Sequence, residues 1–190
     1  MQVFVPGVDD AIIPRWIARM NGLGMRCEIH PGFSFKDHSG FLPFRVSLER
    51  SAHEQLVSGD YLVGFELYVR EFNLAREVAA LTPKRTLLEK LSRRRREPVY
   101  LASPEIDQKL ARCTKELSFV WGSADTLELR LATLSAAILS EITDGVCFYP
   151  ADNIWYSNEG IVENALKEAE SYESSLKPTQ LKLHRFERWL

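Results

Sequence analysis

Two alternating stretches constrain this chain more than any other feature. In "SGFLPFRVSLE", Phe44, Val46 and Leu48 alternate with Arg45, Ser47 and Glu49. In "DYLVGFELYVRE", Tyr61, Val63, Phe65, Leu67 and Val69 share one face. Side chains of a strand point to opposite faces in turn, so both stretches predict strands with one face in a core. The second face of the longer stretch is mixed, with Leu62, Gly64, Glu66, Tyr68 and Arg70, which predicts a central strand or one covered on both sides.

Something must cover that core, and residues 125–142 supply it. Asp125 is placed as a helix N-cap with Glu128 three residues on, the spacing of a capping box. Leu127, Leu131, Leu134, Ile138 and Ile142 follow at helical spacing. "MQVFVPGV" reads as a first strand, a helix follows with Trp16 and Met20, and "RCEIHPGF" reads as a second strand after the stop "NGLGM". Residues 71–116 turn helical, as an excursion with Pro83 as a break. The stretch "SEITDGVCFYPADNIWYSNEG" combines a helix stop at Asp144-Gly145, two short aromatic strands, and a helix start at Ser157 or Asn158. An acidic helix to about Ser175 and an apolar tail over 178–190 complete the chain, and the tail is expected to dock on its own domain or on a partner, a homodimer included. The expected architecture is a single α+β domain over 1–190: a two-layer sandwich, mainly antiparallel, with helices mostly on one face of the sheet.

A net charge of −2 gives no general field for nucleic acid or anionic membrane. The one basic run, Arg93, Arg94, Arg95 and Arg96 with its neighbours, leaves the remainder of the chain acidic and lacks interleaved aromatic residues, so nucleic acid is not the expected partner. It reads as a solvated helix end, with a patch for an acidic protein partner as the functional alternative. Three cysteines, Cys27, Cys113 and Cys147, form no CxxC pair, which favours a reducing compartment and small core residues, with Cys147 as a reserve thiol nucleophile. With no secretory leader and no long apolar run, a cytoplasmic protein that does not enter the membrane is expected.

Chemistry-bearing clusters are few. "EIHPGFSFKDHSG" gathers Glu28, His30, Asp37 and His38, but in no standard zinc spacing, so no metal or other cofactor is predicted. Glu66 beside Gly64 is the best single catalytic candidate, because a missing side chain leaves room for a ligand; its structural alternative is an ion pair with Arg45 or Arg70. Tyr149, Trp155 and Tyr156 are candidate binding residues or hairpin core. "GFSFK" lacks the second glycine of a nucleophile elbow, "GLGMRC" lacks the third of a dinucleotide fingerprint, and no P-loop, HExxH or EF-hand pattern is present.

In order, "GFLPF", "GFELYV" and "FVWGSADTLELRLATLSAAILSEITDGVCFYPADNIW" lie within residues 39–165. This succession resembles small bacterial α+β proteins similar to the immunity proteins that neutralise toxins delivered between bacteria. The resemblance implies a non-enzymatic protein that binds another protein, a toxin, by steric and electrostatic blocking, and it transfers no catalytic residue. The acidic helix, with Glu159, Glu163, Glu168, Glu170 and Glu173, would suit a basic partner. The alternative is a small hydrolase or metal-dependent enzyme using Glu66 with His30 or His38.

Overall fold

The computed structural model describes residues 1–36, 38–82, 98–156 and 159–189. Seven strands form one antiparallel sheet: β1 (Gln2–Val5), β2 (Met25–Ile29), β3 (Ser39–Leu48), β4 (Tyr61–Glu71), β5 (Lys115–Val120), β6 (Val146–Tyr149) and β7 (Ile154–Tyr156). Their order across the sheet is β2-β3-β4-β5-β1-β6-β7. The fold is therefore the expected two-layer α+β sandwich. The first strand lies deep in the sheet, between β5 and β6.

Six helices occur among the described residues: α1 (Ile13–Asn21), α2 (Glu54–Val57), α3 (Leu74–Leu81), α4 (Pro104–Leu110), α5 (Glu128–Thr143) and α6 (Ile161–Ser175). The main core lies between one sheet face and α1, α5 and α6. Val3, Phe44, Phe65 and Phe119 point into it from the strands, and Trp16, Leu131, Leu134 and Ile138 meet them from the helices. Helix α5 is buried on nearly all sides from Glu128 to Ser140, wider than the single stripe a surface helix needs, because α6 covers the side turned away from the sheet. Truncating a fully buried leucine there, such as Leu134, removes about 2–5 kcal/mol of stability.

Local details follow the chain's chemistry, with corrections. Asp125 Oδ1 accepts from the Leu127 amide and Glu128 Oε1 accepts from the Asp125 amide, so the reciprocal cap forms just ahead of the first helical turn. Asp144 itself, not Gly145, takes the left-handed conformation at the end of α5, with φ 51°. Gly145 is required for another reason: a Cβ there would lie 2.5 Å from the Phe4 carbonyl oxygen. Gly160 stands at the start of α6, and the expected caps Ser157 and Asn158 lie outside the described residues. The connection from β3 to β4 contains α2, seated by the fully buried Leu56.

The opposite sheet face is only half covered. Phe4, Val146, Phe72, Leu110 and Cys113 form a second, smaller core where Leu74 of α3, Leu101, and Ile106 of α4 meet β1 and β6. Among the described residues, that face is open over β2, β3 and β4 except where the tail crosses its lower end. There the Leu62 amide donates to the His184 carbonyl and the Phe186 amide to the Asp60 carbonyl, continuing the ladder of β4 where β5 has ended. Arg45 sits over the Phe186 ring, and Trp189 packs edge-on against His30 and Phe186. The tail is thus seated on its own chain. Among the described residues no helix is long and apolar enough to cross a membrane.

Candidate functional site

Glu66 is in the middle of β4 on the open face, and strand register places Phe41 of β3 and Val120 of β5 directly on either side of it. Phe41 and Val120 are each 49% exposed, and Tyr68, two residues along, is 40% exposed. The glycine at 64 does leave room, but the chain fills that room itself: a Cβ on Gly64 would meet the Leu42 carbonyl oxygen and lie 2.5 Å from Phe41 Cζ. Phe41 is therefore seated over the backbone of β4 at Gly64, with its side chain half-exposed. The hollow beside it, about 410 Å³, is bounded by Glu66, Val120, Trp121 and Glu128.

Neither arginine expected to pair with Glu66 does so. Arg45 pairs with Asp60 and reaches Glu28, while Arg70 pairs with Glu116. The partner of Glu66 is instead the Tyr68 hydroxyl, which donates to Oε2 at 2.8 Å and has its own acidity weakened by that bond. Oε1 of Glu66 has no hydrogen-bond partner among the described residues. The carboxylate is exposed.

The histidines are committed elsewhere. His30 Nδ1 accepts from the Gly32 amide at 3.1 Å, and its ring meets Trp189. His38 Nε2 lies 3.1 Å from the Gly40 carbonyl oxygen and its ring packs on Phe33; burial lowers its pKa. Both line a separate hollow of about 260 Å³, which shares Phe41 with the one beside Glu66 but does not include Glu66. Asp37 lies outside the described residues. Among the described residues no three His, Cys, Asp or Glu side chains are grouped to hold a metal ion.

The β6–β7 hairpin divides its aromatic residues between two faces. Register pairs Phe148 with Trp155 and Cys147 with Tyr156. Trp155 stacks between Phe148 and Phe4, at 4.2 and 5.7 Å between ring centroids, so it belongs to the smaller core. Tyr149 and Tyr156 point to the helix side and line a cavity of about 360 Å³ with Trp121, Asp152, Asn164 and Glu168. Arg93, Arg94 and Arg95 lie outside the described residues.

Charges that sequence reasoning treated as surface, or did not weigh at all, prove structural. Glu173 is buried and receives Arg130 through two bonds of 2.7 and 2.8 Å, while Glu163 pairs with Arg19; the acidic face of α6 shrinks to Glu168, Glu170 and their neighbours. Glu116, 1% exposed, accepts from Arg70, Gln2 and Ser118. Burial pushes the Cys27 and Cys147 thiols up to about 12 and Cys113 to about 11, so none is a nucleophile near neutral pH. Compared with family models, curated proteins and solved structures, the chain matches none, so its site rests on its own residues.

Proposed function

We propose that this chain is a non-enzymatic protein-binding protein of the immunity kind, and that it engages its toxin through the open sheet face around Glu66. The observation that carries the reading is the cross-strand row Phe41–Glu66–Val120 with Tyr68 beside it, three half-exposed apolar or aromatic side chains around one carboxylate. Binding energy in interfaces concentrates in aromatic anchors that are rigid before contact, and Phe41 is held in place over Gly64. The uncommitted Oε1 of Glu66 suits a lysine or arginine of the partner, in keeping with a basic toxin surface. Blocking requires no chemistry from this chain.

Protection is the test. A strain lacking the gene, challenged by toxin-delivering sibling cells, loses viability and regains it with the native gene but not with Phe41→Asp/Val120→Asp, whose fold is checked by its melting temperature. Equal survival with and without the gene overturns the immunity reading. Full protection by a folded double variant overturns the sheet face as the surface used.

A further inference from the structure

The cavity between α5, α6 and the β6–β7 hairpin has a lining unlike the rest of the molecule. Its floor is apolar, from Leu129, Ile161 and Ala165, and its walls carry three aromatic side chains, Trp121, Tyr149 and Tyr156. Among the described residues none of these three rings stacks on another ring, lies under a cation or uses its polar atom in a hydrogen bond. Two carboxylates, Asp152 and Glu168, stand at the rim, and neither has an ion-pair or hydrogen-bond partner among the described residues. Among the described residues no lysine, arginine or histidine lines the cavity; Met1 also lines it, and its ammonium is turned to the Phe119 carbonyl oxygen, to which it donates at 2.9 Å, and forms no ion pair with either carboxylate. Both carboxylates are near enough to Tyr156 to add, after burial, to the rise in its phenol pKa. At about 360 Å³ the volume falls within the range of small-molecule sites.

A site with aromatic faces, an apolar floor and unpaired negative charge selects for one ligand chemistry. An anion would meet two carboxylates, and a neutral apolar molecule would leave them uncompensated. An alkylated ammonium ion offers methyl groups to the rings, positive charge to their negative faces, and attraction to both carboxylates. We propose that this cavity binds an organic cation of the alkylammonium class, with Tyr156, Tyr149 and Trp121 as the aromatic wall and Asp152 and Glu168 as the charge-selecting rim. The cation is either a free quaternary amine or the ammonium of a lysine side chain. The site is on the helix side of the sheet, shares Trp121 with the hollow beside Phe41, and does not depend on the Phe41 face binding a toxin.

The test uses calorimetry, with the change in tryptophan fluorescence as a second reading, on the full chain with four probes: tetramethylammonium and choline for the free amine, Nα-acetyl-lysine methylamide for the side chain, and 3,3-dimethylbutanol as the neutral shape-match of choline. Saturable binding of one cationic class is expected, at least fivefold tighter than the neutral alcohol, and the class that binds names the source. Glu168→Gln and Tyr156→Leu should each weaken that binding by threefold or more, while Tyr156→Phe, which keeps the ring, should retain it. A lost response in Tyr156→Leu counts only if its melting temperature matches that of Tyr156→Phe, and Glu168→Gln, on an exposed helix position, supplies the independent reading. Absence of saturable binding by every cation, equal binding of the neutral alcohol, or indifference to Glu168→Gln together with Tyr156→Leu overturns the proposal.

Discussion

Replacing Glu173 with alanine should be among the most damaging single changes in this protein. Arg130 on α5 and Glu173 on α6 form a fork-to-fork pair at 2.7 and 2.8 Å, with side chains only 4% and 2% exposed. Their attraction in place barely exceeds what it cost to remove both from water, but removing one partner leaves the other charge buried alone, at about 3–5 kcal/mol. A hollow of about 300 Å³ bounded by Arg50, Ser51 and Glu170 adjoins the pair, and water admitted through it sets the cost toward the lower end for Glu173→Ala. For a chain of this length the loss corresponds to a fall of roughly 6–20 °C in melting temperature. Arg130→Met/Glu173→Leu restores apolar packing across the same helix contact and should recover most of that loss. The assay is urea unfolding of the native chain, Glu173→Ala, Arg130→Met, Glu173→Leu and Arg130→Met/Glu173→Leu, the last three closing a mutant cycle with the native chain. A cost below about 1 kcal/mol for Glu173→Ala, or a double variant as unstable as the sum of the singles, would refute the burial argument.

Other outcomes follow from packing and ionisation. Gly64→Ala should cost about 1–3 kcal/mol, because its Cβ meets the Leu42 carbonyl and the Phe41 ring; unchanged urea midpoints would show that β3 and β4 separate freely. Ser135→Ala should be neutral or stabilising by up to about 1 kcal/mol, since the buried Oγ has no partner among the described residues; a clear loss in thermal unfolding would reveal one. The thiols predict alkaline weakening. With folded pKa values raised to about 12, 11 and 12 from an ordinary value near 9, the unfolded chain binds fewer protons above pH 9, so their stabilisation is complete below that pH and is lost as pH rises toward 12. Each thiol contributes about 1 kcal/mol per pH unit in that window, and Cys27→Ala should flatten the slope measured between pH 8 and pH 10; an unchanged slope removes Cys27 from the account.

The strands were legible because a period of two survives whatever covers them: the inward faces of β3 and β4 are the ones the alternation predicts. Alternation also put Glu66 opposite Phe65, yet whether the outer face is open depends on where the apolar residues after β4 pack, and among the described ones Phe72, Leu110 and Cys113 pack on Phe4 and Val146 of β1 and β6 instead. The histidines at 30 and 38 are near Glu66 only in the sense that β3 carries Phe41 between them, which no local pattern reports. Arg130 offered a readable signal, since a charge in the middle of an apolar helix needs a buried partner, but choosing Glu173 from five glutamates required the packing of α6 on α5. In the hairpin, the turn between Tyr149 and Ile154 sets a register that sends Trp155 with Phe148 and leaves Tyr156 on the cavity side. Trp121, the third ring of that cavity, comes from the end of β5 and could be joined to it only by the fold.

The two open features differ in kind, and the difference argues that neither is a residue of incomplete packing. On the sheet face, apolar side chains occupy the centre while ion pairs, Arg45 with Asp60 and Arg70 with Glu116, stand around them; an apolar centre within a charged rim is the distribution of an interface. A face merely left uncovered gains nothing from placing Phe41 and Val120 at its middle, since a charge at either position would serve solubility better. The cavity inverts that order, with an apolar floor, aromatic walls and two carboxylates at the mouth, which suits a single ammonium group and offers a flat protein surface little to hold. A substitution such as Phe41→Asp therefore alters the first without touching the second, and Glu168→Gln the reverse, so each surface can fail its experiment while the other passes.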